Sequence, residues 1–251
     1  MIARGVRGPG GSPFTSNPLL LFFIVLLVLN FRTLGSLLDE AVTQPLTFWS
    51  FIAAIVLGVT FHEFMHAYAA HRLGDDTAKL MGRLTLNPLA HFDLFGSLFL
   101  LLLRFGYGKP VPVNESRLRG GRLAGALVAL AGPFTNLALA TVCALPLRFS
   151  AAGVGEFENA YRFVLTAIVV YNCLLFVFNL IPIPPLDGSR VVYGLLPPQQ
   201  AYTWRSYEYA GPFILLAVIF LVPSFLHIDL LTPFVRAPAS FLISLLLGRQ
   251  V

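Results

Sequence analysis

Apolar positions in this chain fall into long blocks separated by short polar stretches. The blocks cover residues 18–31, 46–73, 123–147, 161–181 and 211–227, with a weaker one at 239–247. At 1.5 Å of helical rise per residue, most are long enough, or nearly so, to cross a hydrocarbon layer of roughly 30 Å. The 46–73 block would span about 42 Å as a helix, so its far end must emerge into a polar region, where Gly74, Asp75 and Asp76 mark a stop. The pattern then changes. Gly82-Arg83-Leu84-Thr85-Leu86-Asn87-Pro88 alternates like a short strand, and Lys109-Pro110-Val111-Pro112-Val113 resembles a proline-marked edge strand. Between them, 94–105 is apolar but short for a crossing, which fits a re-entrant or interfacial piece. The expected fold is an all-α polytopic membrane protein with about six transmembrane helices and a small membrane-associated β element between the second and third spans.

Composition supports this reading. The 251 residues are 57% hydrophobic and 12% charged, whereas soluble domains carry about 25% charged residues. Residues 1–17, rich in Gly, Pro and Ser with Arg4 and Arg7, are expected to be a disordered cytoplasmic tail. The 18–31 block is read as a first span rather than a signal-peptide core, because no small-x-small cleavage site follows it. Residues 18–251 then form a single membrane-embedded domain with its core at 46–200. The net charge of +5 is not contiguous, which disfavours nucleic acid as a partner. With the amino terminus in the cytoplasm and 94–105 not crossing, thirteen of the 17 Lys and Arg residues lie inside, the bias expected of topogenic charge. Cys143 and Cys173 lie within apolar blocks without zinc spacing and read as small hydrophobes.

The chemistry concentrates at His62-Glu63-Phe64-Met65-His66. Residues four apart share a helix face, so His62 and His66 can reach one metal ion, and Glu63 is placed to take a proton from a metal-bound water. In a soluble helix chance would be a serious competitor. Within an apolar span, ionisable groups cost several kcal/mol and are kept mainly for function. A catalytic zinc needs a third protein ligand, and Asp187 is the best candidate. It ends the proline-broken run Asn179-Leu180-Ile181-Pro182-Ile183-Pro184-Pro185-Leu186-Asp187-Gly188, which belongs at membrane depth only if buried or facing a cavity. The competing role for Asp187 is a helix N-cap. His71 and His91 read as packing or surface residues, with fallback ligand as the alternative. Asn136, in Ala131-Gly132-Pro133-Phe134-Thr135-Asn136, is either a substrate contact or an interhelical hydrogen bond, and Gly132 reads as a close-packing position.

Three motifs in order, Phe61 to Ala67, Ala131 to Asn136 and Asn179 to Gly188, resemble the site-2 protease family of intramembrane zinc metalloproteases, in its compact bacterial and archaeal branch. Leu73 to Ala78 and Gly82 to Pro88 look like that branch too. The resemblance implies one zinc per chain held by His62, His66 and Asp187, with Glu63 as catalytic base and acid. It also implies substrate contacts from Asn136 and Asn179, and a transmembrane protein substrate presented as an extended strand within the bilayer of a prokaryotic cell membrane. No PDZ-like insertion fits this length, so substrate filtering falls to the membrane core, a second copy or an accessory membrane partner. The main alternative is a metal-ion transporter using the same ligands, which would want further acids or histidines along the outer half of the spans. An iron oxygenase would need more than the five histidines present, and a dead scaffold would have little use for an intact Glu63.

Overall fold

The computed structural model describes residues 31–92, 108–149, 155–230 and 232–248, apart from the side chains of 31–34, 37, 38, 220 and 224. Helix α1 (Phe31–Thr43) leads into α2 (Pro45–Arg72), which begins at a proline because the first helical N–H has no partner to lose. Gly74 at φ +105° turns the chain after α2, and a side chain there would crowd Arg119. The short α3 (Thr77–Leu80) follows. Three longer or better-defined elements come next: α4 (Gly121–Phe149), α5 (Glu156–Asn179) and α6 (Asp187–Leu195). Then come α7 (Pro198–Ser206), α8 (Gly211–Leu216) and α9 (Ala237–Leu247). Beyond α8 the chain widens into π-helical geometry over Ala217–Leu226, a stretch that contains Pro223 and its missing N–H.

Helices α2, α4 and α5 pack on one another, and α6 lies against α4. Close approach is possible because the contact faces are built from small residues. Ala54, Ala67 and Ala70 on α2 and Ala124, Ala126, Ala129, Ala140 and Ala144 on α4 are all buried, as packing between helices in lipid requires. At one end Ala140, Ala144, Val169 and Cys173 close against Ile243 and Leu247 of α9. At the other, Ala67 and Ala78 close against Val111.

Among the described residues, three helices are long and apolar enough to cross a membrane: α2, α4 and α5. A fourth crossing arises only if α7 and Gly211–Pro223, bent by 65°, count as one broken span. The apolar helix Thr232–Leu247 is shorter. This is fewer than the six expected, and the expectations at 18–30 and 94–105 lie outside the described residues.

The expected β element is also corrected, since no strand forms among the described residues. Residues 82–88 alternate in sequence but fold as turns, with Gly82 at φ +71° and Asn87 capping a 3-10 turn through Leu89 N–H at 3.1 Å. Residues 108–113 are irregular. Pro110 and Pro112 have no N–H, that of Lys109 goes to the His91 carbonyl, and that of Val111 goes to the Glu63 carboxylate. Across 109–112, therefore, no donor remains for a ladder.

Candidate metal centre

Helical spacing places His62 and His66 on one face of α2, and both are buried at 7% exposure. Asp187 opens α6 after the proline run, where the Pro184–Pro185 bond is cis. Gly188 is required here. A Cβ on it would lie 2.2 Å from the Leu180 carbonyl oxygen, so only glycine lets the loop fold back and deliver Asp187.

Three atoms converge. His62 Nε2 lies 3.0 Å from Asp187 Oδ2, His66 Nε2 lies 3.2 Å from the same oxygen, and the two Nε2 atoms are 3.0 Å apart. The opposite ring nitrogens explain what these atoms present. His66 Nδ1 donates to the Val128 carbonyl and His62 Nδ1 donates to Asn136 Oδ1, both at 2.7 Å. A carbonyl only accepts, so each neutral imidazole carries its proton on Nδ1 and turns a bare Nε2 lone pair inward. Two lone pairs and a carboxylate oxygen in mutual contact repel unless a cation lies among them.

Zinc fits this donor set. Ligand atoms about 2.0–2.1 Å from a tetrahedral zinc stand roughly 3.3 Å apart, close to the separations seen. Gly132 supplies the room, because a Cβ there would sit 2.4 Å from His66 Nε2 and 2.8 Å from His62 Cε1. Among the described residues, His62, His66 and Asp187 are the one group of three such side chains able to hold a metal.

Glu63, at 9% exposure, is fixed by the Val111 N–H, which donates to Oε2 at 3.0 Å. Asn136 is fully buried and its amide is committed: beyond His62, its Nδ2 donates to Gly58 O at 3.0 Å and to Asn172 Oδ1 at 2.9 Å. Asn179, at the end of α5, donates to the Leu175 carbonyl at 3.0 Å. His71 pairs with Asp76 and His91 Nε2 donates to the Thr85 carbonyl, so neither joins the cluster. A cavity of about 800 Å3 is lined by Val128, whose carbonyl accepts from His66, and by Leu186, the residue before Asp187, and it carries Arg122, Arg190, Arg205 and Glu208.

Sequence reasoning missed Asn172, the steric role of Gly132, and the backbone groups of Val128 and Val111. Asn172 alone left a signal, as an amide in mid-span.

A helical membrane protein whose buried His-Glu-x-x-His face meets a distant aspartate is an intramembrane zinc metalloprotease in class. The comparisons agree, and the chain belongs to the family described as Peptidase family M50, which it matches over residues 50–160. It is 38% identical over 191 residues to a Bacillus subtilis protein named "Putative zinc metalloprotease YwhC", covering 74% of this chain and 87% of that one. Proteins named "Putative zinc metalloprotease Rip2" are similar as well. The one from Mycobacterium tuberculosis H37Rv is 34% identical over 197 residues, covering 72% of this chain and 71% of its own. The one from Mycolicibacterium smegmatis is 31% identical over 183 residues, covering 69% and 67%. No solved structure matches the chain at a significant level. The metal-transporter alternative finds no support, since these relatives are named as proteases and no second ligand cluster is present among the described residues.

Proposed function

We propose that this protein hydrolyses peptide bonds within or near transmembrane segments of other membrane proteins, with His62, His66 and Asp187 holding one zinc ion and Glu63 moving the proton. The observation that carries this is the convergence of three electron-pair donors beside a glutamate, inside a bundle of membrane-length helices.

Zinc in such a site acts as a Lewis acid and brings the pKa of water towards 7. The chain's own residues do the rest. Glu63, held at Oε2 by Val111, takes the proton of the attacking water on its carboxylate and returns it to the leaving nitrogen. Asn136 holds the His62 ring. Asn179, on the loop-side end of α5, contacts the substrate backbone through its amide oxygen. The cavity beside Val128 and Leu186 admits water.

A helical substrate must unwind before attack, because its carbonyls are tied in i to i−4 bonds, so helix-breaking residues belong near the cut. About six crossings in all, an amino terminus in the cytoplasm, and a second copy or accessory partner that filters substrates complete the proposal.

The test is cleavage of a membrane-anchored reporter by purified protein in liposomes. Glu63→Gln should lower the rate by about 10^2 to 10^4-fold, the contribution of a positioned acid-base group, while zinc content stays unchanged. Retained cleavage would refute the role given to Glu63.

A further inference from the structure

Asn172 lies in the middle of α5, 0% exposed, and the reaction above makes no use of it. Leaving a primary amide in an apolar span is expensive unless all its polar atoms are matched. Here they are matched in one direction. Asn172 Nδ2 donates to the Ile168 carbonyl at 2.9 Å, and its Oδ1 accepts from Asn136 Nδ2 at 2.9 Å. Asn136 Nδ2 also donates to Gly58 O, and Asn136 Oδ1 accepts from His62 Nδ1.

An amide has a donor end and an acceptor end, so this chain has a polarity, and backbone carbonyls that cannot flip set it. Turning Asn136 over would press its oxygen against Gly58 O and Asn172 Oδ1. Turning Asn172 over would press its oxygen against Ile168 O. With Asn136 reversed, its NH2 would face His62 Nδ1, the imidazole proton would move to Nε2, and the inward lone pair would be lost. Gly58 belongs to the same device: a Cβ there would lie 2.8 Å from Asn172 Oδ1 and 3.4 Å from Asn136 Nδ2.

We propose that Asn172 is a positioning residue which, through Asn136, locks His62 in the tautomer whose Nε2 faces the metal. This rests on the metal-centre reading above and goes beyond it, because it assigns the control of that ligand to a side chain on a different helix.

The experiment uses the purified full-length chain in detergent. Zinc affinity is measured by chelator competition, and the cobalt-substituted protein is followed by its visible absorption. Asn172→Leu, which keeps bulk and removes both polar ends, should weaken zinc about tenfold, the lower end of what outer-shell partners contribute, and alter the cobalt spectrum. Asn172→Asp should restore both, since a protonated carboxyl keeps one acceptor and one donor. Wild-type affinity and spectrum in the Leu variant, or equal losses in both variants, would overturn the proposal while leaving the zinc site standing. A wild-type chain that binds no zinc would overturn both. Should the Leu variant fail to fold, nitrogen-15 histidine spectra of metal-free wild type decide: a proton on His62 Nδ1 supports the lock, and one on Nε2 overturns it.

Discussion

Gly132 backs onto His66 so closely that a methyl group on its α-carbon would lie 2.4 Å from Nε2. The backbone of α4 therefore forms one wall of the candidate metal centre, and that wall has no side chain because the space is taken by the His62 and His66 rings. Gly132→Ala should reduce zinc from one per chain to near zero while the helix content by circular dichroism is retained. Zinc bound at full stoichiometry would show that the site yields to a methyl.

Asp187 Oδ2 contacts both imidazoles, and in the proposed site it is the anionic donor. Asp187→Asn keeps the shape and removes the charge, so zinc should be lost on dialysis where wild type retains it. Elemental analysis after dialysis reads this directly, and unchanged stoichiometry would point to another third ligand.

Glu63 is aimed by a backbone donor from an irregular segment. Val111→Pro removes that N–H but also trims a side chain buried against Ala67 and Ala78, so Val111→Ala, which trims the side chain and keeps the N–H, is the control against which it is read. A hydrogen bond to a charged group is worth about 1.5–3 kcal/mol, so kcat on a membrane-anchored reporter should fall roughly tenfold or more, with zinc retained. Equal loss of zinc would mean that the segment supports the metal rather than the base.

Asp75 ties the end of α2 to the same segment. It is fully buried and accepts from Thr77 N–H at 3.0 Å and Asn114 N–H at 2.6 Å. Burial pushes its carboxyl up, but the Thr77 and Asn114 hydrogen bonds and the Arg117 charge outweigh that and hold it below the usual value. A carboxylate with a lowered folded pKa stabilises fully above its unfolded value and loses that contribution as pH falls through the folded one. Asp75→Asn should therefore lower the thermal midpoint at neutral pH, and the gap to wild type should close as the medium is acidified below about pH 4. A gap independent of pH would show that packing, not charge, is at work.

The helices that carry the site were legible because apolar block length and i, i+4 spacing are local properties. His62, Glu63 and His66 follow from a single turn of helix, and Gly74 marks where α2 ends. The strand at 82–88 was misread because alternation of period two also fits a run of turns. What decides between them is where the N–H groups go, and those of Gly82 and Arg83 turn back to the Lys79 and Ala78 carbonyls. Asn172 went unread because an isolated amide in an apolar run says that it needs partners without saying which.

The membrane class, the long helices and the pair of imidazoles can be read along one stretch of chain, because they are products of periodicity and transfer energy. It took the folded arrangement to show that Asp187, 121 residues beyond His66, meets that pair, that Gly132 leaves room for the two imidazole rings, and that Asn136 joins His62 to Gly58 and Asn172. Those facts depend on distances between separate helices, and such distances are set by how small residues let backbones approach rather than by any repeat in the chain.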